Sequence, residues 1–166
     1  PTPTSKNIAA TEVCSWRGGL IQGQVHDDNA WAMGGFAGHA GAFAPMRDVL
    51  HFARAILVGS FMESVVKAAW TRAANPLGCA RTRGWDTPSG ESHSAGNLFS
   101  KNSVGHLGFT GTSLWIDPDA HLAISILSNR VHPTRNNERF KTLRAPLHNA
   151  IREDWAAFAA KMTAHH

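Results

Sequence analysis

The segment from Gly105 to Arg130 constrains this chain more than any other part of it. His106 to Ile116 reads as one extended stretch, Asp117-Pro118-Asp119 carries turn chemistry, and His121 to Leu127 alternates apolar residues into a second strand. Two strands joined by so short a turn are antiparallel neighbours, and a lone hairpin is marginal in water, so a further layer must pack on it. The layers on offer are helical. Pro45 to Val58 sets Met46, Val49, Leu50, Ala53, Ile56 and Leu57 on one face, with Pro45 suited to a first helical turn. From Pro146 onward, Leu147, Ile151, Trp155, Phe158 and Met162 recur at three- and four-residue steps, which predicts a closing amphipathic helix. A short helix capped by Asp28 or Asn29 and another over Met62 to Ala73 are also expected. Residues 1 to 24 read as a polar lead-in turning at Gly18-Gly19, Gly78 to Trp85 as a strand, and Pro88 to Ser103 as a loop rich in Ser, Gly and Asn. The pattern predicts an α+β fold, an antiparallel sheet with packed helices. A sheet of about three strands with a helix on one face leaves its other face open unless something covers it.

Composition narrows the function classes. The chain has 166 residues, 43% of them hydrophobic and 17% charged, enough for one domain with its own core and far from the signature of disorder. The longest charge-free stretch, Ala30 to Met46, holds Gly34, Gly35, Gly38, Gly41, His39 and Pro45, so no membrane span is expected. The net charge of +4 is modest, and only Arg81 with Arg83, then Arg130, Arg135, Arg139, Lys141 and Arg144, cluster at all. Without interleaved aromatics these make no nucleic-acid platform. Cys14 and Cys79 are too few for a disulfide framework or a four-Cys metal site and leave one bridge open. The start, Pro1-Thr2-Pro3-Thr4-Ser5, has neither an initiator Met nor an apolar signal core, as expected of a processed product or an excised piece.

Several patterns invite chemistry and carry little. The glycine run Gly34 to Gly41 has neither G-x-G-x-x-G nor G-K-[ST] spacing, so tight turns explain it better than a phosphate. His26, Asp27 and His39 lie close together without metal-ligand spacing, and beside glycines they suit turn and cap hydrogen bonds; no metal or cofactor is expected. His165 and His166 end the chain and suit a terminal tag. Asp27 and Asp48 read as structural caps. Ser64-Val65-Val66-Lys67 matches S-x-x-K, but in a chain with 12 Ser and 5 Lys this pattern arises by chance roughly 0.4 times, so a surface helix is the better reading. Ser100-Lys101-Asn102 matches S-x-N, yet too few residues separate it from His106 for an intervening lobe.

Gly105-His106-Leu107-Gly108-Phe109-Thr110-Gly111-Thr112-Ser113-Leu114-Trp115-Ile116-Asp117-Pro118 is more specific. It resembles the third active-site strand of the penicillin-recognising serine hydrolases: class C β-lactamases, low-molecular-weight penicillin-binding proteins and related esterases. That strand carries K-T-G or H-x-G in the family, and His106-Leu107-Gly108 matches the second form. Ile8 to Glu12, Arg17-Gly18, Gly23 to Asp27, Gly34 to Gly41, Gly84 to Asp86 and His132 to Arg135 extend the similarity over nearly the whole chain.

The resemblance implies that residues 1–166 are the C-terminal half of a β-lactamase/transpeptidase-like domain. An N-terminal half would carry the S-x-x-K nucleophile and the Tyr or Ser of the second motif, and would be this chain's partner. It further implies an acyl-enzyme hydrolase of a small ester, D-Ala peptide or β-lactam, in a bacterial periplasmic or secreted setting. In catalysis Gly108 would let substrate approach the backbone, the Phe109 N–H would donate to the oxyanion, and His106 would meet the substrate carboxylate or tune the second-motif residue. Leu107 and Thr110 would contact substrate. Leu107 replaces the usual Thr hydroxyl, which favours ester or peptide hydrolysis over β-lactams. A noncatalytic binding module keeping the fold is the alternative.

Overall fold

The computed structural model of the chain describes residues 7–71, 81–90 and 93–163. The lead-in is more ordered than its polarity suggests. β1 (Val13–Cys14) and β2 (Gly19–Leu20) pair antiparallel around a single 3-10 turn, Ser15–Arg17, which Gly18 closes at φ +84°. Helix α1 (Asp28–Ala32) is capped by neither Asp28 nor Asn29 but by Asp27, the other cap expected, whose carboxylate accepts the Ala30 N–H at 2.8 Å. Helix α2 (Met46–Leu57) follows, with Pro45 at its N-cap rather than inside the first turn. Asp48 lies in that first turn, where it complements the helix dipole instead of capping. Helix α3 (Glu63–Trp70) ends earlier than the expected Ala73, which lies outside the described residues.

The expected strand at Gly78 to Trp85 is absent from its described part, 81–85, where Thr82 N–H to Trp85 O (3.1 Å) and Gly84 at φ +89° make a turn. Beyond it, Asp86 makes an isolated antiparallel bridge to Gly105. Cys79, and with it the question of a bridge to the buried Cys14, lies outside the described residues, as do His165 and His166.

The central sheet is a meander of β3 (Val104–Leu107), β4 (Ser113–Asp117) and β5 (Leu122–Ile126), antiparallel in that order. The expected single strand from His106 to Ile116 is therefore two. Gly108 and Gly111 allow the reversal: Gly111 sits at φ +110°, and a side chain on Gly108 would run into the Thr112 hydroxyl. The β4–β5 turn falls at Asp117-Pro118-Asp119 as expected. The Asp117 carboxylate caps it by accepting the Asp119 and Ala120 N–H groups at 3.1 and 3.2 Å.

The pleat sends alternate residues to opposite faces, and both faces are covered. Val104 and Ile116 pack with Ala53 and Ile56 of α2, supported by Val66 and Trp70 of α3. Trp115, Leu122 and Ile124 form the other core with Ala95 and Phe99 from the long loop, against Ile151 and Trp155 of α4 (Arg139–Thr163). The cover that the sheet's other face requires is supplied by this second helix. Its apolar stripe lies on the side of the sheet that α2 leaves bare. Helix α4 also starts at Arg139, seven positions before Pro146, and runs through that proline.

Candidate functional site

The pairing of β3 decides what its outer edge offers. His106 opposes Leu114 and Leu107 opposes Ser113, so His106 shares the α2 face with Val104, Leu114 and Ile116, while Leu107 looks toward α4. α2 covers the Val104 end; His106, at the other end, is exposed. Its Nδ1 lies 2.8 Å from Leu107 O, and because a carbonyl only accepts, Nδ1 carries the proton. In the neutral ring Nε2 then keeps its lone pair. Gly105, on the outer edge, exchanges both backbone bonds with Asp86 at 2.7 and 2.9 Å.

Beyond Leu107 the turn Gly108–Thr112 is held through its carbonyl oxygens. Gly108 O accepts from Gly111 N–H (3.0 Å) and Arg144 Nη2 (2.9 Å), and Phe109 O accepts Arg130 Nε at 2.8 Å. Thr110 O accepts the Arg130 N–H at 3.0 Å, and Gly111 O the Ser128 hydroxyl at 2.8 Å. The amides of Phe109 and Thr110 find no acceptor among the described residues. The turn therefore shows two successive N–H groups at the free end of the edge strand, the geometry that suits a negatively charged or polarised oxygen.

The Phe109 ring is 57% exposed yet held on both sides, stacked 5.7 Å from His26 and lying 4.6 Å under the Arg130 guanidinium. His26 is anchored in turn: its Nε2 meets the buried Glu12 carboxylate at 2.9 Å. Glu12 also takes Arg135 Nη2 at 2.7 Å and the Arg135 backbone N–H at 2.9 Å. Arg135 reaches Asp28 at 3.4 Å, and Arg17 binds the carbonyls of Val25 and His26 at 2.9 and 3.3 Å beneath the Trp31 ring. Hydrogen bonding from Arg135 outweighs burial and holds the Glu12 carboxyl down at about 2. This network ties residues 12–28 to the 130–137 loop under the turn.

On the other face, His148 of α4 is fully buried. Its Nδ1 donates to Ser94 O (3.0 Å) and its Nε2 accepts from the Ser113 hydroxyl (3.1 Å), while burial keeps the ring below its usual pKa and so neutral. Asp117 is buried too. Burial pushes its carboxyl up, but bonds from Ser100, Ala120 and Arg152 outweigh that and keep it ionised, fastening the long loop to β4.

His106, Leu107, Gly108, Phe109 and Thr110 thus share one edge and its turn. Two concavities lie elsewhere, neither lined by these five. One, of about 880 Å³, sits among α2, α3, Val104 and Asp119; the other, of about 560 Å³, runs between β5, Leu50, Trp155 and Phe158. A substrate groove along the edge at His106, which the family resemblance implies, is neither of these two. Ser64 is exposed on α3, and Lys67 is ion-paired to Glu63 one turn away, so the S-x-x-K match is a surface helix feature. Asn102 holds Asp119 and His39 holds Asp27 (2.9 Å), both turn contacts. No group of three or more potential metal ligands converges among the described residues.

Sequence reasoning missed Arg130 and Arg144, which it counted only as members of a weak basic cluster, and Glu12 with Arg135. Spacing alone cannot pair residues 123 positions apart.

An α+β chain whose antiparallel meander ends in an H-x-G edge strand and a donor-bearing turn defines a class of scaffold rather than a reaction. Residues 5–147 match the β-lactamase family, and the chain belongs to it. It is 36% identical over 149 residues to proteins of Salmonella agona, Salmonella gallinarum and Salmonella typhi, each named "Putative D-alanyl-D-alanine carboxypeptidase". The match takes in 78% of this chain and 34% of each relative, so the chain spans about a third of the length of the curated relatives it matches. No solved structure matches it.

Proposed function

We propose that this chain is the oxyanion-side part of a serine acyl hydrolase, acting on an acyl-D-alanyl peptide or a simple ester. The observation that carries the reading is the β3–β4 turn, whose carbonyls are all bonded while the Phe109 and Thr110 amides stand free at the end of an edge strand bearing His106. Family membership and the printed name of the relatives support it.

In the proposed reaction a serine hydroxyl supplied from outside residues 1–166 attacks the substrate carbonyl and gives its proton to a base. The carbonyl oxygen becomes an oxyanion and takes the Phe109 N–H; the C–N or C–O bond then breaks and the leaving amine or alcohol regains the proton. Water hydrolyses the acyl-enzyme in a second round. Gly108 lets the strand turn tightly against Thr112, which is what presents the Phe109 N–H, and His106 Nε2 faces the reacting groups as a hydrogen-bond partner. Leu107 has no hydroxyl for a β-lactam carboxylate, which places esters and peptides first. In this reading residues 1–166 are the C-terminal half of the catalytic domain and the rest of the domain walls the groove.

The test is acylation of the complete gene product by a fluorescent penicillin and by a fluorophosphonate, with hydrolysis of a p-nitrophenyl ester and an acyl-D-Ala-D-Ala peptide read alongside. Stoichiometric labelling and turnover are expected. Absence of both makes the chain a noncatalytic binding module.

A further inference from the structure

Arg144, in the second turn of α4, is buried to 6% exposure, and among the described residues no carboxylate pairs with it. Its Nε has no hydrogen-bond partner, while Nη2 donates to Gly108 O at 2.9 Å. A buried guanidinium that lacks a counter-ion costs stability, so its position needs a reason that stability does not supply. The carbonyl it holds belongs to the peptide plane whose other end is the Phe109 N–H. A cation bonded to that oxygen draws electron density along the plane and makes the N–H a stronger donor, the mutual strengthening of hydrogen bonds in series. Together with the Gly111 N–H on the same oxygen (3.0 Å), it also fixes the direction in which the amide points.

We propose that Arg144 is a positioning residue for the oxyanion donor, orienting and polarising the Phe109 N–H through the Gly108 carbonyl. This rests on the reading of β3 as the oxyanion strand. Arg130 holds the next carbonyl, but it also donates to Arg135 O (3.2 Å) and Asn137 O (2.8 Å) and lies 3.6 Å from Glu138. Arg144 is therefore the residue at which polarisation separates from loop anchoring.

The experiment compares the complete gene product with its Arg144→Lys and Arg144→Met variants on a p-nitrophenyl ester. Steady-state kinetics is combined with the infrared carbonyl stretch of the acyl-enzyme formed from 13C=O-labelled ester. Losing an oxyanion donor outright costs ~10²–10³ in kcat, and weakening one is expected to cost roughly tenfold in Arg144→Met and less in Arg144→Lys, with KM nearly constant. The acyl carbonyl stretch should rise in frequency in the same order, a shift that a merely structural arginine would not produce. Unchanged kcat and frequency in folded Arg144→Met overturn the proposal. Where that variant fails to fold, Arg144→Lys and Arg144→Gln carry the test: a graded loss supports the role and a flat series overturns it. A wild type that forms no acyl-enzyme overturns the functional reading and this inference with it, whereas a wild type that acylates beside flat variants overturns this inference alone.

Discussion

His106 shows how a strand residue is separable from the fold. Its side chain is exposed and its one described bond is to the carbonyl of the next residue, so truncation leaves the core untouched. In the complete gene product His106→Ala should lower kcat/KM for a small ester or acyl-D-Ala peptide at least about tenfold, the low end for a positioned acid–base or oxyanion-side group. Thermal unfolding should stay within about 0.5 kcal/mol of wild type. Unchanged kcat/KM would leave His106 a strand residue. Glu12 is the opposite case, buried and bonded to the His26 ring and the Arg135 guanidinium. Its folded pKa of about 2 lies below the ordinary 4.5, so the unfolded chain binds a proton first as pH falls. The stabilisation is whole above about 4.5 and is lost between there and about 2. Glu12→Gln should cost about 2–3 kcal/mol at neutral pH, since Arg135 would lose a charged partner, and should flatten the acid limb of a urea-midpoint titration. Glu12, Arg17 and Arg135 were legible as similar to a family, but their joint role was not. A network between residues so far apart leaves no periodic trace.

At the scale of elements, what could be read in advance follows the strength of local patterning. α2 and the β4–β5 hairpin carried clear periodicity and turn chemistry, and both formed where expected. The β3–β4 reversal was hidden because its residues keep β propensity on both sides of Gly108 and only bond direction reveals the turn. Helix α4 was read seven residues short because Pro146 looks like a start, whereas packing of Arg144 and His148 on the sheet carries the helix through it. Ala95 and Phe99 entered the core from a segment whose composition says loop. His148 gives this packing a pH signature. Because its folded pKa is lowered by burial, the unfolded chain takes the proton first below about 6.5, and stability should decline as pH falls through that region. The urea midpoint of the complete gene product, followed from pH 7 to 5, should fall less steeply in His148→Gln. Equal slopes would mean that the imidazole does not titrate differently on folding.

For the whole molecule, the site residues that the family resemblance singled out fall on one edge and its turn, while Ser64 lies on an exposed helix. The purified 166-residue chain should hydrolyse no activated ester at a specific rate, and Ser64→Ala should change nothing. Mass spectrometry after exposure to a serine-reactive probe should find no stoichiometric adduct on Ser64, because nucleophile, base and oxyanion donor must lie within hydrogen-bond reach of one another. An adduct lost in the variant would move the reaction centre to α3.

The carbonyls of the β3–β4 turn are held by residues made after it, and 36 positions separate Gly108 from Arg144. During translation at roughly 5–20 residues per second, the H-x-G strand therefore exists for ~2–7 seconds before its last support has been synthesised. A nascent chain halted ahead of α4 would carry the whole H-x-G strand in order and still lack the arginine that holds the Gly108 carbonyl, so the motif is written before its bracing is.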